Sequence, residues 1–119
     1  MTQTTRDPID GNQLPLPDSF RQLHLDGCGR LQLPVAELLQ RAELCEDLAL
    51  QLQDSARHIH FDLGVAEDDV LGRLHAGLAT PQAELRPGEA EWVTARVAEL
   101  LDWLDRLPQE LLPPTRPAR

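Results

Sequence analysis

The sequence predicts an all-α fold: an antiparallel three-helix assembly in the order long, short, long, with an irregular N-terminal arm. Three observations carry this expectation. Apolar residues step by three and four along three separate segments, the period of an amphipathic helix. Those segments open on Pro or clustered carboxylates and close on Gly or Pro, the chemistry of helix starts and stops. The apolar content is also aliphatic, with 23 Leu against two Phe, two Trp and no Tyr among 119 residues. A chain of that length has room for one core.

Taken in order, residues 1–20 carry Pro8, Pro15 and Pro17 among polar neighbours. They are expected to be disordered or loosely packed, with Leu14, Leu16 and Phe20 available for local contacts. One helical domain is expected over residues 21–107. Its first stretch, 21–33, alternates around Asp26-Gly27, with Leu23 and Leu25 before the turn and Leu31 and Leu33 after it. That pattern signals a hairpin. Arms this short hold only when packed on something else, so a short hairpin and an irregular loop both stay open.

The first helix is expected over 34–63. Pro34 suits a first turn, where a missing N–H costs nothing. Val35, Leu38, Ala42, Cys45, Ala49, Leu52, Ala56 and Ile59 step alternately by three and four, and Gly64 is a left-handed stop. The second helix, 66–79, opens on Glu67, Asp68 and Asp69, which complement the positive end of the helix dipole. Its apolar face is Val70, Leu71, Leu74 and Leu78, and Thr80-Pro81 ends it. The third helix, 87–107, runs from Pro87 to Pro108 with Val93, Val97, Leu100, Leu104 and Leu107 on one stripe. Residues 108–119, with Pro113, Pro114 and Pro117, are expected to form a disordered tail.

Charge narrows the function. Eleven Arg face 20 Asp plus Glu, a net charge of −9, and there is no Lys. That absence removes a P-loop lysine, a Schiff-base lysine and a lysine general base. The acidic balance opposes a nucleic-acid surface, which relies on clustered cations. The first thirty residues show no basic region followed by an apolar one, and no apolar run approaches the ~20 residues needed to span a bilayer. The expectation is a cytoplasmic protein with reduced thiols.

No catalytic residue, cofactor-binding residue or metal ligand is expected, and the chain is read as no enzyme. His58 and His60 are two apart, so on a helix they point to different sides. His58 faces outward within reach of Asp62, while His60 projects onto the apolar seam. A metal site needs three or four converging ligands. Cys45 sits on the seam among Glu43, Glu46 and Asp47, which disfavour a thiolate, and Cys28 between Gly27 and Gly29 reads as turn chemistry. No small-molecule substrate is evident.

The informative residues point to an interface. On a helix over 87–107, Trp92 and Trp103 fall within about 20° of each other on one flank of the apolar stripe, with Arg96 between them. Trp and Arg are enriched at binding hot spots. The first helix has an apolar arc of roughly 200°, twice what a surface helix requires, and Leu44 stands near its opposite side. The candidate interface is therefore Trp92, Arg96, Trp103 and Leu44.

The strings AELCEDLA (42–49), FDLGVAEDDVL (61–71), RLHAGL (73–78) and EAEWVTARVAELLDW (89–103), with Pro17-Asp18-Ser19-Phe20, resemble a small β-proteobacterial family. Some of its members go under the name of an ATPase with chaperone activity. The resemblance covers most of residues 17–103 and brings no catalytic residues with it. A P-loop ATPase needs G-x-x-x-x-G-K-[ST], which a chain without lysine lacks, so any chaperone link implied is that of an adaptor or accessory factor. The expected function is a non-enzymatic, self-associating cytosolic interaction protein that acts as an adaptor or accessory factor, with a protein partner, a homodimer or both. The alternative is a small acidic regulator that occupies a partner's basic groove by charge mimicry.

Overall fold

The structure, a computed structural model, describes residues 16–108 and 111; the disorder expected of residues 1–15, 109–110 and 112–119 lies outside them. The described residues form four α-helices and no strand: α1 (Asp18–Leu23), α2 (Val35–Arg57), α3 (Glu67–Leu78) and α4 (Glu89–Leu100). One turn of π-helix, His58–Asp62, continues α2. Short 3-10 turns at Pro81–Ala83 and Leu104–Arg106 stand before and after α4. The chain divides into two compact units, Met1–Ala42 and Glu43–Arg119, with the boundary inside α2.

In the first unit, α1 occupies the end of the segment expected to be an irregular arm. Pro17 caps it in extended conformation, and Asp18 pairs with Arg21 one turn on, at 2.7 Å. Phe20 is fully buried. The alternation over 21–33 yields a single antiparallel bridge, Leu25 to Leu31, in place of a two-stranded hairpin. Asp26 explains why the loop closes without strands. Its Oδ1 accepts the backbone N–H groups of Cys28 and Arg30, at 2.8 and 2.9 Å, and Gly29 takes a left-handed φ of 83°. Those donors hold the Asp26 carboxyl below its ordinary range, Arg30 first and Cys28 second. The side chain thus satisfies backbone groups that a ladder would otherwise pair.

Along α2 the expected seam is largely met. Leu38, Ala42, Cys45, Ala49 and Ala56 are buried, while Val35, Leu52 and Ile59 are half-buried. Leu50, at the edge of the apolar arc, and Leu44, near its opposite side, stay exposed.

In the second unit, α3 buries the four residues its periodicity marks, Val70, Leu71, Leu74 and Leu78. Gly64 precedes it with φ 74°, the conformation a stop at this position requires. α4 buries Ala90, Trp92, Val93, Val97 and Ala98. It ends at Leu100, seven residues before the limit set by Pro108. The reason is a Schellman closure: the Trp103 N–H reaches back to the Ala98 carbonyl at 2.7 Å, and the Asp102 N–H to that of Glu99 at 3.2 Å. Asp102 takes the left-handed position with φ 63°. Beyond it Leu104 is exposed, whereas Leu107 and Leu111 are buried. Leu111 thus departs from the expected disordered tail: its N–H bonds the Pro108 carbonyl at 2.9 Å.

Candidate interaction surface

The early end of α4 separates two residues that the sequence places on one helix flank. Trp92 lies on α4 and Trp103 beyond it, after the left-handed turn. Both are buried, at 6% and 8% exposure. Arg96 is committed elsewhere. Its Nε and a terminal nitrogen donate to both oxygens of Glu46 on α2, at 2.9 and 3.0 Å, and its other terminal nitrogen donates to Glu99 at 2.9 Å. The Glu46 pairing, seconded by Glu99, makes the guanidinium hold its proton more tightly than a free arginine does. The Trp–Arg–Trp line expected along one flank is therefore replaced by two buried rings and an ion-paired arginine. Of the four candidate residues, Leu44 is exposed, at 41%.

The exposed large apolar side chains of the second unit include two on the π-turn segment, Phe61 at 70% and Leu63 at 63%, and Leu104 at 49%. The turn is what puts them there. In an uninterrupted α-helix His60 would continue the α2 seam. The π-turn adds one residue to the register, and the chain leaves it through Gly64, whose N–H bonds the His60 carbonyl at 3.1 Å, and Val65, whose N–H bonds that of Ile59 at 3.3 Å. His60 becomes a bracket for this corner. Its Nδ1–H donates to the Val65 carbonyl at 2.7 Å, and its Nε2 stands 3.6 Å from the Glu67 carboxylate at the start of α3. Its ring meets the Trp103 indole edge-on, with centroids 5.1 Å apart, and the Phe61 ring in the same manner at 4.5 Å. His58 faces outward and bonds Asp62 at 2.7 Å, as its spacing predicts.

Phe61 and Leu63 follow His60 in the chain and Leu104 follows Trp103, so the His60–Trp103 ring contact brings two exposed apolar segments to one corner. Both flanking backbones are held by left-handed turns, at Gly64 and Asp102. Carboxylates neighbour these residues in the chain, Asp62 between Phe61 and Leu63 and Asp102 and Asp105 on either side of the Trp103–Leu104 pair, and Glu67 stands 3.6 Å from His60. Sequence reasoning missed this surface because Leu104 reads as helix stripe and Phe61 as the last turn of an amphipathic helix. The one available signal was Phe61 and Leu63 falling off the three–four seam of α2.

Elsewhere in the unit, His75 on α3 bonds Glu91 on α4 at 2.7 Å. That bond is the main reason the Glu91 carboxyl sits below its ordinary range, burial acting in the opposite sense. Beside it lies an open groove of about 330 Å³, lined by Leu78, Pro81, Leu85, Pro87, Ala90 and Glu91. Its one carboxylate is engaged by His75, and Thr80 and Arg86 are the other polar side chains on its wall. Among the described residues no three His, Cys, Asp or Glu side chains gather as a metal site. No described helix is long and apolar enough to cross a membrane.

Comparison with known proteins adds no relative: no family model, curated protein or solved structure matches the chain. The class the fold defines is an all-α protein with an exposed apolar corner.

Proposed function

We propose that the chain is a non-enzymatic, cytoplasmic interaction protein, an adaptor or accessory factor that docks a protein partner or a second copy through a helix-end surface. The observation that carries this reading is the exposure of Phe61 and Leu63 on a backbone fixed by the π-turn and Gly64. Contiguous apolar patches left in water mark interaction sites. An antiparallel arrangement of the three longer helices belongs to the same reading. It is supported by the short links after α2 and α3, and by the pairs Arg96–Glu46 and His75–Glu91.

A photo-reactive side chain at position 61 tests it. The expected result is a discrete covalent adduct in native cytosol that disappears with Leu63→Ser while the melting temperature holds. Adduct mass separates a second copy from another protein. The absence of any discrete adduct, or an adduct indifferent to Leu63→Ser, would remove the docking function from this corner.

A further inference from the structure

We propose that the occupant of the Phe61–Leu63–Leu104 corner is a basic amphipathic helical segment of a partner protein. This rests on the docking reading above and adds the partner's chemistry. Two features of the corner define the complement. Its centre is apolar, three aliphatic or aromatic side chains at 49–70% exposure, which calls for an apolar stripe on the other side. Its border is acidic. Asp62, Glu67, Asp102 and Asp105 belong to the segments that meet there, with Arg106 3.8 Å from Asp105 and His58 2.7 Å from Asp62. Asp62 and Asp105 are 65% and 78% exposed, so a partner's cations reach them.

A second copy is the poorer fit. A two-fold dimer apposes the same patch on both chains. Here that would bring two acidic borders together in molecules that each carry −9, and like charges across an interface are repulsive. A helical segment with apolar residues at i, i+3, i+4 and Lys or Arg beside them satisfies both features at once. The apolar stripe covers Phe61, Leu63 and Leu104, while the flanking cations meet the carboxylates. The surface then reads sign as well as shape, and the acid border sets salt sensitivity and encounter rate more than final affinity.

The test uses the full chain and three fluorescein-labelled peptides of about four helical turns. One is an amphipathic Leu/Lys helix, one is the same sequence with Glu replacing Lys, and one keeps the Leu/Lys composition with the stripe scrambled. Fluorescence anisotropy is expected to show binding of the first alone. Phe61→Ser with Leu63→Ser leaves the charge unchanged and is expected to weaken binding about ten-fold, a loss of about 1.4 kcal/mol. Asp62→Asn with Asp105→Asn is expected to weaken it several-fold and flatten its salt dependence. Leu50→Ser, at an exposed position on α2, is the control and is expected to change nothing. Circular dichroism melts confirm that each variant is folded. Equal binding of the scrambled peptide, or binding that survives Phe61→Ser with Leu63→Ser, would reduce the interaction to bulk charge and overturn the proposal. Binding of the Glu peptide at the corner would overturn the basic partner while leaving the docking surface standing. So would a photo-adduct at position 61 in the absence of any peptide binding.

Discussion

The α3–α4 pair and the corner formed by the π-turn and the end of α4 lie in the same unit and obey different rules. In the pair, apolar period and burial largely coincide: Val70, Leu71, Leu74 and Leu78 are buried on α3, and Val93 and Val97 on α4, with Trp92 buried beside the stripe. At the corner they part. Leu104 fits the stripe of α4 and is exposed, while Trp103 falls off that stripe and is buried. The difference is where the helix stops. Period predicts burial only while the backbone keeps 3.6 residues per turn. A π-turn or a left-handed residue resets the phase of everything after it.

The largest effect that separates the two regions is core truncation. Leu71→Ala, at a fully buried position, is expected to cost about 2–5 kcal/mol by transfer and cavity terms. Phe61→Ser is expected to stay within about 0.5 kcal/mol, as surface changes do. Denaturant midpoints for the two variants check this, and similar losses would place Phe61 in the core. Leu52→Ala, half-buried on the α2 seam, belongs between them, at about 1–2 kcal/mol because only part of the cavity term applies.

The next effect concerns the tie between helices. Arg96→Ala is expected to cost about 1 kcal/mol, the upper range for a partly exposed pair. A double-mutant cycle with Glu46→Ala is expected to recover most of it as coupling energy. Purely additive losses would show that Arg96 acts through its alkyl stem alone.

Smaller still is the backbone at Asp102. Its φ of 63° disfavours an L-residue with a side chain. Asp102→Gly is therefore expected to stabilise the fold by about 0.5 kcal/mol, and Asp102→Val to destabilise it by more. A destabilising glycine would mean that the carboxylate itself holds the turn.

Acid titration gives the smallest signal. The bond from His75 lowers the Glu91 pKa below the usual value near 4.5. A carboxyl with a lowered folded-state pKa adds stability that is complete above the unfolded value and disappears as pH falls through the folded one. Melting temperature is thus expected to decline below about pH 4.5, and Glu91→Gln is expected to make that decline shallower. An unchanged acid profile in the variant would show that the bond contributes nothing to folding.

Much of the fold was legible in the residues because it is local. The seam of α2 is a repeat of small and aliphatic residues, Gly64 is a backbone stop, and the carboxylates at 67–69 mark a helix start. Each depends on neighbours within a turn or two. The His58–Asp62 bond was legible for the same reason. The hairpin signal at 21–33 was half right, because Asp26 supplies by side chain the bonds that strands would have supplied by ladder. The candidate interface was not legible. Its Phe61–Leu63 side turned on the π-turn after Arg57, and its Leu104 side on whether Asp102 continued a helix or reversed it, and an aspartate is compatible with both.

The sequence alone therefore determined the all-α class, the three longer helical segments, their buried faces in α2 and α3, and the acidic surface, since period and charge are properties of the chain itself. The tertiary structure decided that α4 ends at Leu100, that both indoles are buried, that Arg96 is ion-paired across helices, and that Phe61, Leu63 and Leu104 are left in water. Those outcomes depend on contacts between residues far apart in the chain: the His60 ring against the Trp103 indole, and the Arg96 guanidinium on Glu46 fifty residues away. Helix propensity is worth less than about 1 kcal/mol per residue, so contacts of this kind set where a helix stops and which side chains remain exposed.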